Sequence, residues 1–299
     1  GQVVMSLPTV GFIGLGIMGR PMALNLLRAN YPLRIYGRRA ESMLALLDAG
    51  ATGCGSPAEV ASNADVVFVV VADTPDVEAV IFDAQGIVQA GRTGQVVVDM
   101  STISPVATRD MAVRLAGIGI EMLDAPVSGG EAGAIAGTLS IMVGGKPEVF
   151  AQVLPLLQVL GKNIVHIGAN GTGQVAKACN QISVAGAIAS VAEALLFARA
   201  NGADPYKVRE ALLGGFAGSK ILEVHGKRML DGDFQPGFKS RLHQKDMDIV
   251  LDTARQIGLA LPASAMVAQY LNALVGSGDG ELDSSAIVKV IERMSRQTL

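Results

Sequence analysis

The sequence predicts an α/β fold: a doubly wound parallel sheet, followed from about residue 169 by an all-α domain. Three observations predict it. Short β-rich runs alternate with helical stretches through the first half of the chain, the pattern of strands joined by crossover helices. Several of these runs are unbroken in valine and isoleucine, as expected of strands covered on both faces. After Gly168 the pattern turns to helical periodicity with no convincing strand.

Taken in order, the candidate strands are 9–13 (TVGFI), 33–36 (LRIY), 65–71 (DVVFVVV), 95–100 (QVVVDM), 120–126 (IEMLDAP), 139–145 (LSIMVGG) and 163–168 (NIVHIG). A long helix from about 173 to 200 opens the second domain. Asp204 as N-cap, Pro205 at the first helical position and glycines at the far end delimit the next helix. PASAMVAQYLNALVGSG reads the same way. The domains expected are therefore 1–168, dinucleotide-binding, and 169–299, for substrate and oligomerisation.

The bulk properties narrow the function. A chain of 299 residues is long enough for two domains, and its net charge of −3 without basic tracts argues against nucleic acid. Cys54 and Cys179 lack disulfide or metal spacing, and His166, His225 and His243 form no ligand motif, so no metal is expected. Hydrophobic residues make up 50% and mean hydropathy is +0.41. The most apolar run, 182–198, is interrupted by Ser183, Ser190 and Glu193, short of the ~18–20 unbroken residues of a membrane span. GQVVMSLPTV has no basic n-region, and Met5 is a candidate natural start. These features predict a soluble, cytoplasmic protein outside any membrane, with unusually apolar helices suited to self-association.

TVGFIGLGIMGRPMALNLL sets Gly14, Gly16 and Gly19 in G-x-G-x-x-G spacing between a strand and a helix. The first glycine permits a tight turn, the second lets backbone approach a pyrophosphate, and the third packs helix on strand. A helix N-terminus there offers unpaired N–H groups to phosphate. This is a Rossmann-type dinucleotide site, with Ile17 and Met18 inside the loop and Val71 at a neighbouring strand end among its expected cofactor contacts. An NAD-preferring site carries an acid about 20 residues on, at the end of the second strand. Here that region reads LRIYGRRAES: Gly37 replaces the acid, and Arg38 and Arg39 follow. Glycine leaves room for a 2′-phosphate and guanidiniums bind it in bidentate fashion, which predicts NADP(H), with NAD(H) possible. A solvated basic turn is the other reading of GRR.

Ligands of such sheets lie outside the carboxyl ends of the strands. DMSTISP puts Ser101 and Thr102 at one such end, and DAPVSGG puts Ser128, Gly129 and Gly130 at the next. A hydroxyl beside approachable N–H groups suits a substrate carboxylate; a tight turn would use the same residues. From residue 163 to 192 the only formally charged side chain is Lys177. A structural lysine would snorkel to water. On a helix, however, Lys177, Asn180 and Gln181 share a face at i, i+3 and i+4. The glycines of GTG would let the helix start approach a ligand. A lysine desolvated there should have a lowered pKa, nearer the working pH of a proton donor.

With the glycine loop, DAPVSGG, GTGQVAKACNQ and HQKDMDIVLD in register, the chain resembles the β-hydroxyacid dehydrogenase family from about residue 8 onward. The resemblance implies an NAD(P)-dependent oxidoreductase with Lys177 as catalytic acid/base and Asn180 assisting it. It implies that Ser128, Gly129 and Gly130 bind the substrate carboxylate, and that Thr102 and Lys245 lie along the cofactor near the nicotinamide. A solvated helix face is the alternative for Lys245. DAPVSGGEAGAIAGTLSIMVGG and GGFAGSKILEVHGKRMLDGDFQPGF point within the family to tartronate semialdehyde, reduced to D-glycerate. The 3-hydroxyisobutyrate and 4-hydroxybutyrate activities are the alternatives within the family, and a catalytically silent NADP-binding sensor is the alternative outside enzymes. A homodimer or homotetramer is expected.

Overall fold

A computed structural model describes residues 6–299; residues 1–5, with the candidate start Met5, lie outside the described residues. Contacts divide the chain into two units, one through Lys177 and one from Ala178 to Leu299. The division therefore falls within the helix Thr172–Ala200, a little beyond the boundary expected at residue 168.

Among the described residues the first unit is built on nine strands: β1 (Val10–Ile13), β2 (Leu33–Tyr36), β3 (Thr52–Gly53), β4 (Val66–Val69), β5 (Val96–Asp99), β6 (Glu121–Asp124), β7 (Val127–Ser128), β8 (Leu139–Gly144) and β9 (Gly161–Gly168). Their order is β3-β2-β1-β4-β5-β6-β8-β7, with β9 also paired to β8. From β3 to β6 every pair is parallel, so the carboxyl ends of six strands share one edge. β8 runs antiparallel to β6 and β7 and parallel to β9. The sheet is thus parallel in its nucleotide-binding half and mixed beyond it.

The valine-rich strands are buried because helices cover both faces. β1, β4 and β5 are buried at every position. Strand periodicity sends alternate side chains to opposite faces: Val10, Phe12, Val66, Phe68, Val96 and Val98 enter one core, while Ile13, Val67, Val69 and Val97 enter the other. β9, at the edge, alternates exposed and half-buried residues instead.

The second unit is helical and has its own core, in which Ala185, Ile188, Ala192 and Leu195 pack with Met229, Met247, Val250, Leu271 and Ile287. The Asp204 carboxylate caps Pro205–Leu213 by accepting from Tyr206 N at 2.9 Å, and Gly214 ends that helix. Seven strands stand where the sequence places them; β3 and β7, of two residues each, are additions. By length and composition, Thr172–Ala200 is long and apolar enough to cross a membrane, although its unbroken apolar runs are short. Half of its most apolar stretch is buried within the protein, as in a core helix.

Candidate active site

Within the first unit the site grows from the carboxyl edge of the sheet. Gly14 has φ +99° and follows β1 directly; a Cβ there would strike the Val70 carbonyl oxygen. A Cβ on Gly19 would strike the Gly14 carbonyl, so the helix Gly19–Arg28 can start this close to the strand only with glycine. A Cβ on Gly16 would meet nothing within 4 Å: the middle glycine faces open space. Ile17 beside it is exposed, and Met18 is half-buried at the helix start. Two glycines fixed by packing and one facing outward is the arrangement a pyrophosphate requires, so the residues present fit a dinucleotide.

At the end of β2, Arg38 and Arg39 are exposed, and an Arg38 nitrogen lies 3.5 Å from the Asp76 carboxylate. Gly37 is explained differently from the sequence expectation. A Cβ there would run into Ser42 Oγ, which donates to the Arg39 carbonyl at 2.6 Å. A side chain at 37 would have to turn the Ser42 hydroxyl off the Arg39 carbonyl, so packing favours glycine there whichever nucleotide binds.

Neighbouring strand ends are tied together by Ser101. Its hydroxyl accepts from Val71 N at 2.9 Å, and its own N–H donates to Asp99 Oδ1 at 3.0 Å. Val71 and Thr102, both half-buried, thus sit side by side at the ends of β4 and β5. Ser128 ends the short β7, and Gly129 and Gly130, with φ of +136° and +64°, turn the chain into Gly130–Ala136.

Lys177 lies in the second turn of Thr172–Ala200 and is 8% exposed, so the side chain as a whole is buried rather than extended into water. Its helix begins on the Asp124 side chain at the end of β6: Oδ1 accepts from Gly171 N at 2.9 Å and Oδ2 from Gln174 N at 3.1 Å. Burial pushes this carboxyl above its usual range, against the N–H groups of Gly171, Gln174 and Gly173, which favour the charged form. A Cβ on Gly173 would lie 2.5 Å from the Met142 carbonyl and 2.7 Å from that of Asp124. Gly173 therefore serves the docking of helix on strand, while Gly171, with φ +90° and Arg109 against its Cβ position, serves the turn into the helix. The Gln174 side chain reaches back to the loop after β5, accepting from Ile103 N at 3.0 Å and donating to the Ser101 carbonyl at 2.7 Å. Asp124 and Gln174 are residues the sequence reading missed; Ser101 it placed at a strand end, without these partners. The available signal was polarity: Gln174, like Lys177, is a buried polar residue on a mostly apolar helix.

In the second unit Asn180 donates to Gln181 Oε1 at 2.8 Å, and Gln181 donates to Asp246 Oδ2 at 2.8 Å. Lys245 Nζ is 2.9 Å from Asp246 Oδ1. A chain of contacts through buried Gln181 and Asp246 thus joins half-buried Asn180 to the KD element, and half-buried Lys245 belongs to it.

Comparison with known proteins also divides the chain in two, a few residues before the division by contacts. Residues 9–168 match the NAD binding domain of 6-phosphogluconate dehydrogenase, and 171–291 the NAD-binding region of NADP-dependent 3-hydroxyisobutyrate dehydrogenase. The chain is 49% identical to 2-hydroxy-3-oxopropionate reductase of Escherichia coli (strain K12), over 97% of this chain and 99% of the relative. It is 35% identical to 3-hydroxyisobutyrate dehydrogenase of Pseudomonas aeruginosa, covering 94% of this chain and 97% of that one. A solved structure of Mycobacterium tuberculosis 3-hydroxyisobutyrate dehydrogenase with L-serine superposes with TM-score 0.88 at 30% identity, covering 96% and 99% of the two chains. These relatives are catalysts, which sets aside the silent-sensor reading.

Proposed function

The chain belongs to the β-hydroxyacid dehydrogenase family, NAD(P)-dependent oxidoreductases, and on that premise we propose that it reduces tartronate semialdehyde to D-glycerate with NADPH. The observation that carries this reading is Lys177: a buried ammonium two turns into a helix docked on the carboxyl edge of the nucleotide-binding sheet. The choice of aldehyde rests on the likeness to the Escherichia coli reductase.

When bound, the reduced nicotinamide supplies hydride to the aldehyde carbon. Lys177 holds the carbonyl oxygen through Nζ–H and passes it a proton as negative charge grows there. In the reverse direction neutral Lys177 takes the proton from the substrate hydroxyl. Ser128, Gly129 and Gly130 hold the substrate carboxylate, and Asn180 assists Lys177. Gly14, Gly16, Ile17, Met18 and Gly19 hold the pyrophosphate. Val71, Thr102 and Lys245 contact the cofactor, and Arg38 and Arg39 hold the 2′-phosphate. No metal takes part. We place the enzyme in the cytoplasm as a homodimer or homotetramer, the exposed Phe197 and Phe216 of the second unit supporting self-association.

The test is loss of reduced-nicotinamide absorbance with tartronate semialdehyde, NADPH and NADH being compared at equal concentration. Fast turnover favouring NADPH is expected. Faster turnover with NADH would discard the arginine reading alone. The match of 171–291 to a 3-hydroxyisobutyrate dehydrogenase region favours a second substrate. Faster reduction of methylmalonic semialdehyde would put that reading first.

A further inference from the structure

We propose that Gln174 is a positioning residue for the reaction, its side chain clamping the backbone on both sides of Thr102 to the helix that carries Lys177. The inference rests on the reading of Lys177 as proton donor. Gln174 is 1% exposed, and both ends of its amide are used, toward the Ser101 carbonyl at 2.7 Å and the Ile103 N–H at 3.0 Å. Those groups belong to the two peptide units flanking the Thr102 α-carbon. An amide pairing with both grips that residue as a neighbouring strand would, fixing its backbone direction and hence where its side chain points.

The main chain of the same residue is fixed from another side. Gln174 N donates to Asp124 Oδ2 at the end of β6, and Gly171 N to Oδ1. Lys177 follows three residues later, one turn along and on the same side of the helix. One residue therefore sets the cofactor-side threonine and the proton donor relative to each other. Simple core filling does not call for it: a leucine or methionine would occupy the volume, leaving the two peptide groups to other partners. Displacement of a reacting group by about 1 Å costs on the order of 10²-fold in rate, the scale on which such a clamp matters.

The experiment uses the full-length protein with NADPH and the best semialdehyde substrate. Gln174→Met, which keeps length and loses the amide, is expected to lower kcat by about 10²-fold with KM for NADPH little changed. In a Lys177→Ala background the same substitution should cost clearly less, because one of the two groups it sets relative to each other is gone and only the placement of Thr102 remains to be lost. An equal loss in both backgrounds overturns the proposal, as does a loss confined to thermal stability with kcat intact. Gln174→Glu supplies a readout that packing alone would not move, and it carries the test should the methionine variant fail to fold. A protonated glutamic acid can donate to the Ser101 carbonyl and an ionised one cannot, so its kcat relative to wild type should rise as pH falls. A ratio independent of pH overturns the clamp. Undiminished turnover of Lys177→Ala by itself would instead fault the assignment of Lys177, a failure visible before Gln174 is touched.

Discussion

A lysine only 8% exposed is costly to hold in a protein interior, and Lys177 stands within a run from 163 to 192 otherwise free of formal charge. On the proposed reading, proton donation, which an apolar residue could not perform, accounts for its burial. Lys177→Ala should therefore reduce turnover by ~10²–10⁴-fold, the usual contribution of a general acid. NADPH affinity, measured by fluorescence titration, should be unchanged; near-normal turnover would remove Lys177 from the mechanism. At the nucleotide end, magnitudes decide what Arg38 can do. Its pair with Asp76 joins a side chain 79% exposed to one 33% exposed, and such surface pairs are worth ~0–1 kcal/mol. Charge-assisted bonds to phosphate are worth about 1.5–3 kcal/mol, so a 2′-phosphate would draw the guanidinium away from Asp76. Replacing Arg38 and Arg39 together by alanine should raise KM for NADPH roughly 10–100-fold while leaving NADH kinetics nearly unchanged. Equal effects on both cofactors would make GRR a solvated turn. Gly37→Asp is the weaker probe, since its Cβ would also displace Ser42.

Among elements, the start of Thr172–Ala200 bears most on the site, because its docking on Asp124 and β8 decides where Lys177 lies. Gly173→Ala tests that dependence. The added methyl would press on two backbone carbonyls, Met142 and Asp124, neither of which can rotate aside as a side chain could. Overpacking of this kind costs about 1–3 kcal/mol. Chemical denaturation should show the loss and turnover should fall with it, whereas unaltered stability would mean that the helix start has room to shift. How far such elements are legible depends on how they are stabilised. The seven longer strands were readable as β-rich runs, several of them continuous valine and isoleucine because both faces are buried. β3 and β7 were not, since two residues carry no period and each exists only through pairing with a longer neighbour. Gly14, Gly16 and Gly19 were legible because their spacing is local in sequence, Gly14 and Gly19 being required by close backbone contact and Gly16 facing open space. The Gln174 clamp was not, because its partners lie 71 and 73 residues away in sequence. Gly37 was identified as a departure from pattern, but its cause, the Ser42 hydroxyl, emerged only from packing.

For the whole molecule, each unit has its own core, and each holds a buried carboxyl whose titration is shifted in the opposite sense. Asp124 in the first unit is raised, burial outweighing the N–H groups it accepts from. Its neutral form is favoured on folding, so its contribution is fully present below the unfolded pKa and is lost as pH rises through the folded value. Asp283 in the second unit is lowered. Burial pushes it up, but the Ser285 hydroxyl, the N–H groups of Phe238 and Ser285 and the Arg228 guanidinium outweigh burial. Its contribution is present above the unfolded pKa and is lost as pH falls through the folded value. Acidification from neutral pH should therefore act on the units in opposite directions, the first gaining from Asp124 as the second loses from Asp283. Hydrogen exchange followed by mass spectrometry can resolve this by segment. As pH approaches the carboxylate range, and after correction for the intrinsic pH dependence of exchange, protection should fall first in the helices packed around Met229, Met247 and Leu271. The strands β1, β4 and β5 should hold longer. Asp283→Asn should flatten the acid limb of the second unit and leave that of the first, while Asp124→Asn should do the reverse. A wild-type protein whose two units lose protection together, with neither variant altering the order, would show that one cooperative transition overrides both carboxyls.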